Sequence, residues 1–132
     1  MLGEFPWRNY GVVFAVLYGS RAWGGVVKGD WDIAVYLEDA ERDVDLQYAL
    51  ARFLGVRDED VDLLVLNDYE SIPCTLVTSA LGKGKLLYTR DIDEYLDIML
   101  RILKPCIDFI IDSEKLDLLG TQFNAVVSKW GQ

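Results

Sequence analysis

Two short apolar runs, Val12–Tyr18 and Ile33–Leu37, constrain the fold of this chain more than any other feature. The first run is rich in Val, Phe and Tyr, is too short for a helix and is closed by Gly19, so it predicts a buried strand. The second run follows directly on Asp32, and we expect this aspartate to open a second strand. The sequence therefore predicts two strands joined by a glycine-containing loop.

Two carboxylates stand at the start of the second strand. Side chains alternate along a strand, so Asp30 and Asp32, which are two positions apart, should point to the same face. No Lys or Arg lies between them. Two carboxylates this close are costly unless a cation or a proton offsets their repulsion. We therefore expect Asp30 and Asp32 to share a cation.

A different signal stands at the end of the first strand, where Gly19 is followed by Ser20. A glycine after a strand lets the backbone turn tightly and approach a ligand, and the next residue can present its N–H and hydroxyl groups. A short helix beginning near Ser20 would add a partial positive charge suited to a phosphate. Together with the carboxylate pair, this cradle suits a nucleoside triphosphate carried with Mg²⁺, which proteins typically bind through carboxylates and substrate phosphates.

A third carboxylate, Asp62, lies within the apolar run from Val61 to Leu66. A run of this kind predicts an interior strand. A carboxylate in the middle of a buried strand needs a partner. A metal ion shared with Asp30 and Asp32 would supply one.

Charge and composition exclude several classes of function. The chain of 132 residues has a formal net charge of −9, which disfavours direct binding of a nucleic acid. The same charge would repel a triphosphate unless Mg²⁺ and a nearby cation such as Arg21 or Lys28 offset it locally. The sequence has no histidine, so Ser-His-Asp and Cys-His catalysis and histidine-based metal sites are excluded.

The two cysteines, Cys74 and Cys106, lie far apart and form no CxxC motif. A disulfide between them stays open, but the sequence favours two buried thiols in a cytoplasmic protein. The first residues lack a basic start leading into an apolar core, so no signal peptide is predicted. No stretch approaches the length of a membrane span, and we expect no membrane partner.

The chain after the second strand shows helical periodicity. An amphipathic helix is predicted over 46–54, with Gly55 as its C-terminal stop. Asn67 and Asp68 can cap a second helix, which we predict over roughly 69–81.

A short strand at 86–88 should follow, and from Asp91 the apolar spacing is helical again. Pro105 should end or kink this last helix. Further apolar residues recur at helical spacing up to Trp130, and this tail should pack within the chain or against a partner. We predict a single domain over 1–132, with a core at about 11–91 and a helical C-terminal segment at about 91–132.

The residues Gly19-Ser20-Arg21-Ala22, followed after a spacer by Asp30-x-Asp32, resemble the signature of the DNA polymerase β-type nucleotidyltransferase superfamily in its minimal (MNT) branch. That family takes a third carboxylate from a later strand, and Val61–Val65 is similar to this element. The resemblance covers roughly 12–91. The spacer has nine residues, one fewer than the commoner length, and Gly29 stands where the family usually has Ser or Thr.

This resemblance implies an α/β (α+β) fold, with a small mixed sheet of about four strands flanked by helices and a helical C-terminal segment. It also implies two Mg²⁺ ions during catalysis and ATP as a substrate. The implied site consists of three catalytic, metal-binding carboxylates, Asp30, Asp32 and Asp62, and three nucleotide-binding residues, Gly19, Ser20 and Arg21.

Small proteins of this branch are typically partners of HEPN proteins in prokaryotic toxin–antitoxin pairs, and members transfer AMP to a tyrosine of that partner. The resemblance therefore implies a protein adenylyltransferase that acts as an antitoxin. Separately, the apolar C-terminal segment could provide a homo- or hetero-oligomeric contact. Two alternatives stay open. One is a small-molecule nucleotidyltransferase, although such relatives usually carry an additional helical domain. The other is a non-catalytic antitoxin with a vestigial nucleotide site, which neutralises its partner by contact alone.

Overall fold

A computed structural model describes residues 2–23 and 30–108, with only the backbone for Trp23. Within these residues the centre of the fold is a four-stranded sheet in the order β3-β2-β1-β4. Strand β1 runs antiparallel to β2 and β4, whereas β2 and β3 are parallel. The strands are β1 (Val12–Tyr18), β2 (Trp31–Leu37), β3 (Val61–Val65) and β4 (Lys85–Thr89). The predicted mixed sheet with flanking helices is confirmed.

The position of β3 differs from the prediction. The apolar run at 61–66 predicts an interior strand, but within the described residues β3 lies at the edge of the sheet with β2 as its neighbour. Val61 is buried and Asp62 is exposed. The prediction of an interior strand is therefore wrong for the described sheet, because the apolar side chains of this run pack on its faces while β2 is the one described strand that pairs with β3. Asp62 consequently needs no buried partner.

One face of the sheet is covered by the N-terminal turns and by helix α1 (Asp43–Leu54). Trp7, Leu46 and Leu50 are almost fully buried there. The predicted helix over 46–54 is confirmed, and it stops where Gly55 adopts a left-handed conformation with a φ of 71°.

The opposite face is covered by helix α2 (Cys74–Val77), which continues as a π-helical turn over Thr78–Gly82, and by helix α3 over 92–108. The helix predicted over 69–81 begins only after Pro73. The segment before it, Leu66–Ser71, forms 3-10 turns.

Asn67 does not cap that helix, and this prediction is wrong. Its Nδ2 group donates to the carbonyl of Leu37 at 2.6 Å, and its Oδ1 accepts from the N–H of Leu37 at 3.0 Å. The side chain thereby satisfies both main-chain groups at the end of β2, a tertiary role that local sequence does not show.

The sequence predicts that Pro105 ends or kinks the last helix. Helix α3 continues through Pro105 to the last described residues, so Pro105 does not end it, and the kink stays a prediction. Proline removes one main-chain hydrogen bond, but buried Ile102 and Cys106 hold the helix on the sheet from both sides of this position. Cys106 is bonded to Cys74, with a Cα–Cα distance of 5.3 Å, so the favoured interpretation of two free thiols is wrong. The predicted helical tail up to Trp130 lies outside the described residues.

No helix in the described part of the chain is both long and apolar enough to cross a membrane.

Candidate functional site

Three strands meet at one end of the sheet, where β1 ends and the parallel strands β2 and β3 begin. There Asp32 on β2 lies directly opposite Tyr18 on β1 and directly opposite Asp62 on β3. Side chains at directly opposed positions project to the same face of a sheet. The register therefore brings two predicted metal ligands, Asp32 and Asp62, together on one face.

The environment of Asp32 disfavours its negative charge. Burial raises the pKa of this carboxyl above its ordinary value, and the charges of Asp62 and Asp30 and a hydrogen bond with Asp62 raise it further. All of these influences act in the same direction. A proton or a bound cation would offset them, as the sequence predicts for this cluster.

Asp30 lies one residue before β2 and is exposed. Its charge acts on Asp32, so the three predicted carboxylates share one region of the structure. Among residues 2–23 and 30–108, however, no three acidic or cysteine side chains are already arranged to enclose a metal ion. Mg²⁺ usually keeps several waters and takes only one or two carboxylates plus substrate phosphates. The all-oxygen donor set of Asp30, Asp32 and Asp62 therefore suits Mg²⁺ in the presence of a nucleotide.

The chain turns sharply at Gly19, directly after β1 and beside the carboxylate cluster. Its φ is 76°, which favours glycine, and a Cβ placed on it would overlap the Asp32 carboxylate. The absence of a side chain thus lets the backbone pass directly beside Asp32.

A 3-10 turn over Ser20–Trp23 begins immediately afterwards, and Ser20 is exposed. Ser20 directly follows Gly19, which lies beside Asp32, so an exposed residue stands where the sequence predicts a phosphate cradle.

Arg21 lies over the Trp31 ring, with 4.2 Å between its guanidinium carbon and the ring centroid. Trp31 is half-buried and packs against the apolar cluster on the α1 side of the sheet, as the alternation of side chains predicts. The stacking supplies a cation–π contact. The charge of Arg21 acts on Asp60, at the start of the segment leading into β3. The stacking therefore holds Arg21 on the α1 side of the sheet, and its predicted role in nucleotide binding stays a prediction.

Tyr18 is a site residue that sequence reasoning did not single out. Its side chain is buried, and burial together with the charges of Asp62 and Asp32 raises the pKa of its hydroxyl to about 12. The tyrosine therefore stays protonated at neutral pH beside the two carboxylates. Its position as the last residue of the strand before Gly19 is the signal that could have identified it.

Lys28 and Gly29, which the sequence associates with triphosphate binding, lie outside the described residues. The described part of the site therefore consists of the end of β1, the turn after it, and the first residues of β2 and β3.

A carboxylate cluster beside a glycine turn on a small mixed sheet defines a protein of the nucleotidyltransferase class. Residues 5–93 match the polymerase beta nucleotidyltransferase family. Because this match spans well over half of the chain, the protein belongs to the polymerase beta nucleotidyltransferase family. A comparison with curated protein sequences found no match.

Solved structures with a similar fold come from toxin–antitoxin pairs. A mutant toxin–antitoxin MntA–HpeT structure has a TM-score of 0.58 and 22% identity, covering 89% of this chain and 92% of that one. A toxin–antitoxin structure with AMP-PNP has a TM-score of 0.57 and 22% identity, with coverages of 89% and 92%. The tri-AMPylated Shewanella oneidensis HEPN toxin in complex with its MNT antitoxin has a TM-score of 0.53 and 22% identity, with 88% of each chain covered. At this identity the likeness establishes the fold, so the predicted relationship is confirmed at the level of family and fold.

Proposed function

We propose that this protein is a Mg²⁺-dependent nucleotidyltransferase that moves AMP from ATP to a tyrosine of a HEPN toxin partner and thereby acts as its antitoxin. The observation that carries the proposal is the register of Asp32 with Asp62 beside the Gly19 turn. Membership of the nucleotidyltransferase family supports the class of reaction. The proposal places the protein in the cytoplasm, where ATP is available.

The donor set supports binding of Mg²⁺ by Asp30, Asp32 and Asp62. When bound there, the ion would neutralise triphosphate charge and lower the pKa of an acceptor hydroxyl. Nucleotidyl transfer needs little covalent help from the protein, since positioning and neutralisation of charge supply most of the rate enhancement.

The residues of the chain itself have separate roles in the proposed reaction. The Gly19 backbone and the exposed Ser20 hydroxyl bind the β- and γ-phosphates. The acceptor oxygen attacks the α-phosphorus, the bond from this phosphorus to the bridging oxygen of pyrophosphate breaks, and pyrophosphate leaves. Asp62 accepts the hydroxyl proton, a role that its exposure at the sheet edge permits.

The choice of acceptor and nucleotide rests on the structural neighbours. One of them contains AMP-PNP, and another contains a tri-AMPylated HEPN toxin with its MNT antitoxin. The net charge of −9 further supports a protein acceptor over a nucleic acid.

The proposal is tested by incubating the Shewanella oneidensis HEPN toxin, or a HEPN protein from the same source as this chain, with ATP, Mg²⁺ and the wild-type protein. Intact-mass spectrometry should show one or more added AMP units on a HEPN tyrosine. The double variant Asp30→Asn, Asp32→Asn should give no adduct, whereas Asp58→Asn, an exposed carboxylate in a different turn, should behave like wild type. A tight complex with a cognate HEPN protein that stays unmodified would contradict transfer and favour an antitoxin that acts by contact alone.

A further inference from the structure

The disulfide between Cys74 and Cys106 joins α2 to α3, and each of the two cysteines directly follows a proline. Cys74 is the first residue of α2 and follows Pro73, and Cys106 lies near the end of the described part of α3 and follows Pro105. The bond closes a loop with a sequence separation of 32 residues that includes all of β4. It therefore cross-links α2 and α3, the two helices that cover the face of the sheet opposite α1.

A surface cavity of about 290 Å³ opens onto this bond. Both cysteines line this cavity, and Cys74 is the less buried of the two residues. A small thiol can reach the bond from the cavity without unfolding of the helices. The lining residues are Tyr69, Glu70, Ile72, Cys74, Ile102, Pro105 and Cys106.

Apolar packing also holds the two bonded helices on the sheet. Val77 and Leu81 on the α2 side and Ile98 and Ile102 on α3 are buried in the same apolar cluster on the sheet. Domains of this size bury enough apolar surface to fold without cross-links. The reduced protein should therefore remain folded, with α3 held by packing alone.

We propose that Cys74 and Cys106 form a redox-reversible cross-link that fixes α3 against α2 in the oxidised protein and leaves α3 held by packing alone, and so more mobile, in the reduced protein. An accessible disulfide in an otherwise self-sufficient fold is the kind that exchanges with small thiols. Reduction would leave the start of α2 and the end of α3 connected only through apolar contacts.

The co-reactant for oxidation is a low-molecular-weight disulfide such as oxidised glutathione. The Cys74 thiolate attacks one glutathione sulfur, a mixed disulfide forms, and one glutathione leaves as a thiolate. The Cys106 thiolate then attacks the Cys74 sulfur and displaces the second glutathione. The two protein thiols lose two electrons, the glutathione disulfide gains them, and the two protons of the protein thiols pass to the two departing thiolates.

Glu70 is the charged residue among those that line the cavity. Its carboxylate should make the rate of disulfide reduction depend on the charge of the reductant. Its carboxylate repels the anionic glutathione thiolate more than it repels dithiothreitol, which carries no carboxylates. Glu70→Gln should therefore increase the rate of reduction by glutathione severalfold while changing the rate with dithiothreitol much less. Equal rate changes with both reductants would contradict access through this cavity.

The wild-type protein itself provides the main test. It is equilibrated in glutathione redox buffers of graded potential, free thiols are trapped with N-ethylmaleimide, and adducts are counted by mass spectrometry. We expect no adducts at the oxidising end, two at the reducing end, and a single transition between them. Two adducts across the whole range would overturn the proposal, as would a disulfide that resists reduction until the protein is unfolded.

Hydrogen exchange on the two forms separates increased mobility of α3 from general loosening. Reduction should raise exchange severalfold in the C-terminal half of α3 and leave the amides of β1 unchanged. The thermal midpoint of the reduced form should fall by at least about 5 °C, because closure of a loop of this length constrains the unfolded chain. Identical exchange and identical midpoints in the two forms would overturn the proposal.

Discussion

Asp32 is the residue at which the fold concentrates unfavourable charge. It is partly buried, opposed by Asp62 and close to Asp30, and its pKa is raised for these reasons. Burial and the repulsion by Asp62 and Asp30 thus destabilise the charged form of Asp32 at the position where the proposed reaction needs a cation. Functional sites are often the places where such costs are found.

This cost predicts a pH-dependent effect of Asp32→Asn. The pKa of Asp32 is higher in the folded than in the unfolded protein, so the folded state loses stability as the pH rises through the interval between the two values. Without metal, Asp32→Asn should therefore increase the free energy of unfolding at pH 7 by up to about 1 kcal/mol, a modest figure because solvent screens a partly exposed carboxylate. Urea titrations at pH 7 and at about pH 3, where Asp32 is protonated in both states, provide the measurement.

At the lower pH the stabilisation should disappear. Asp58→Asn, which alters an exposed carboxylate away from the cluster, should show no comparable gain at pH 7. Equal stability of wild type and Asp32→Asn at pH 7 would mean that the cluster carries no net repulsion.

Gly19 provides a second test at the scale of a residue. Gly19→Ala should lower the free energy of unfolding by about 2 kcal/mol or more, since it combines the left-handed backbone cost of about 1–2 kcal/mol with an overlap on the Asp32 carboxylate. Gly55→Ala is the matched control, because Gly55 has a similar φ of 71° but open space around its Cβ position. It should show the backbone cost alone, measured by urea unfolding. Equal losses would contradict the close approach of Gly19 to Asp32.

At the scale of the elements, Asn67 connects the segment after β3 to the end of β2. Asn67→Ala should cost about 1–3 kcal/mol, because it leaves both main-chain groups of Leu37 without their partner. Asp68→Ala, which removes an exposed side-chain contact with Ser71, should cost much less. Urea unfolding of the two variants measures the difference, and similar costs would mean that water replaces Asn67 without loss.

The elements that depend on residues close together in the sequence were predicted correctly. The two strands with apolar runs and the helix ended by Gly55 follow from periodicity and from a left-handed stop, which need no tertiary partner. The edge position of β3, the bond from Asn67 to Leu37 and the continuation of α3 through Pro105 depend on neighbours that are distant in sequence. For that reason local sequence predicted an interior position for β3, a cap at Asn67 and an end or kink at Pro105, and it missed the three observed features.

The same distinction between local and long-range determinants applies to the candidate site. The spacing of Asp30 and Asp32 and the apolar setting of Asp62 identified all three carboxylates from sequence, but their roles stay a proposal. The position of Tyr18 beside Asp32 follows from strand register, which sequence alone did not provide. The stacking of Arg21 on Trp31 joins the turn after β1 to β2 and likewise depends on tertiary structure. Residues of the spacer, including Lys28, lie outside the described residues and keep the status of predictions.

In the molecule as a whole, the sheet separates two apolar layers, one on each of its faces. The N-terminal turns and α1 build an apolar cluster on one face, while α2 and α3 cover the other face. The carboxylate cluster lies on this second face, at the end of the sheet where β1 stops and β2 and β3 begin. Among the described residues, Asp30 and Asp62 are exposed in this cluster, whereas the apolar side chains on both faces are buried.

Ser20→Ala distinguishes the phosphate cradle from the structural turn. Ser20 is exposed, so its loss should leave the free energy of unfolding within about 0.5 kcal/mol of wild type. Affinity for ATP with Mg²⁺ should fall severalfold, because one donor to the phosphates is lost. Unchanged affinity in isothermal titration calorimetry would remove Ser20 from the site.

Calorimetric titration of ATP into wild type and Asp32→Ala, each with and without Mg²⁺, measures whether the carboxylate cluster binds a nucleotide with Mg²⁺. We predict binding to wild type that requires Mg²⁺, and no measurable binding to Asp32→Ala. Binding of equal strength to both proteins, or no binding to wild type, would contradict this prediction.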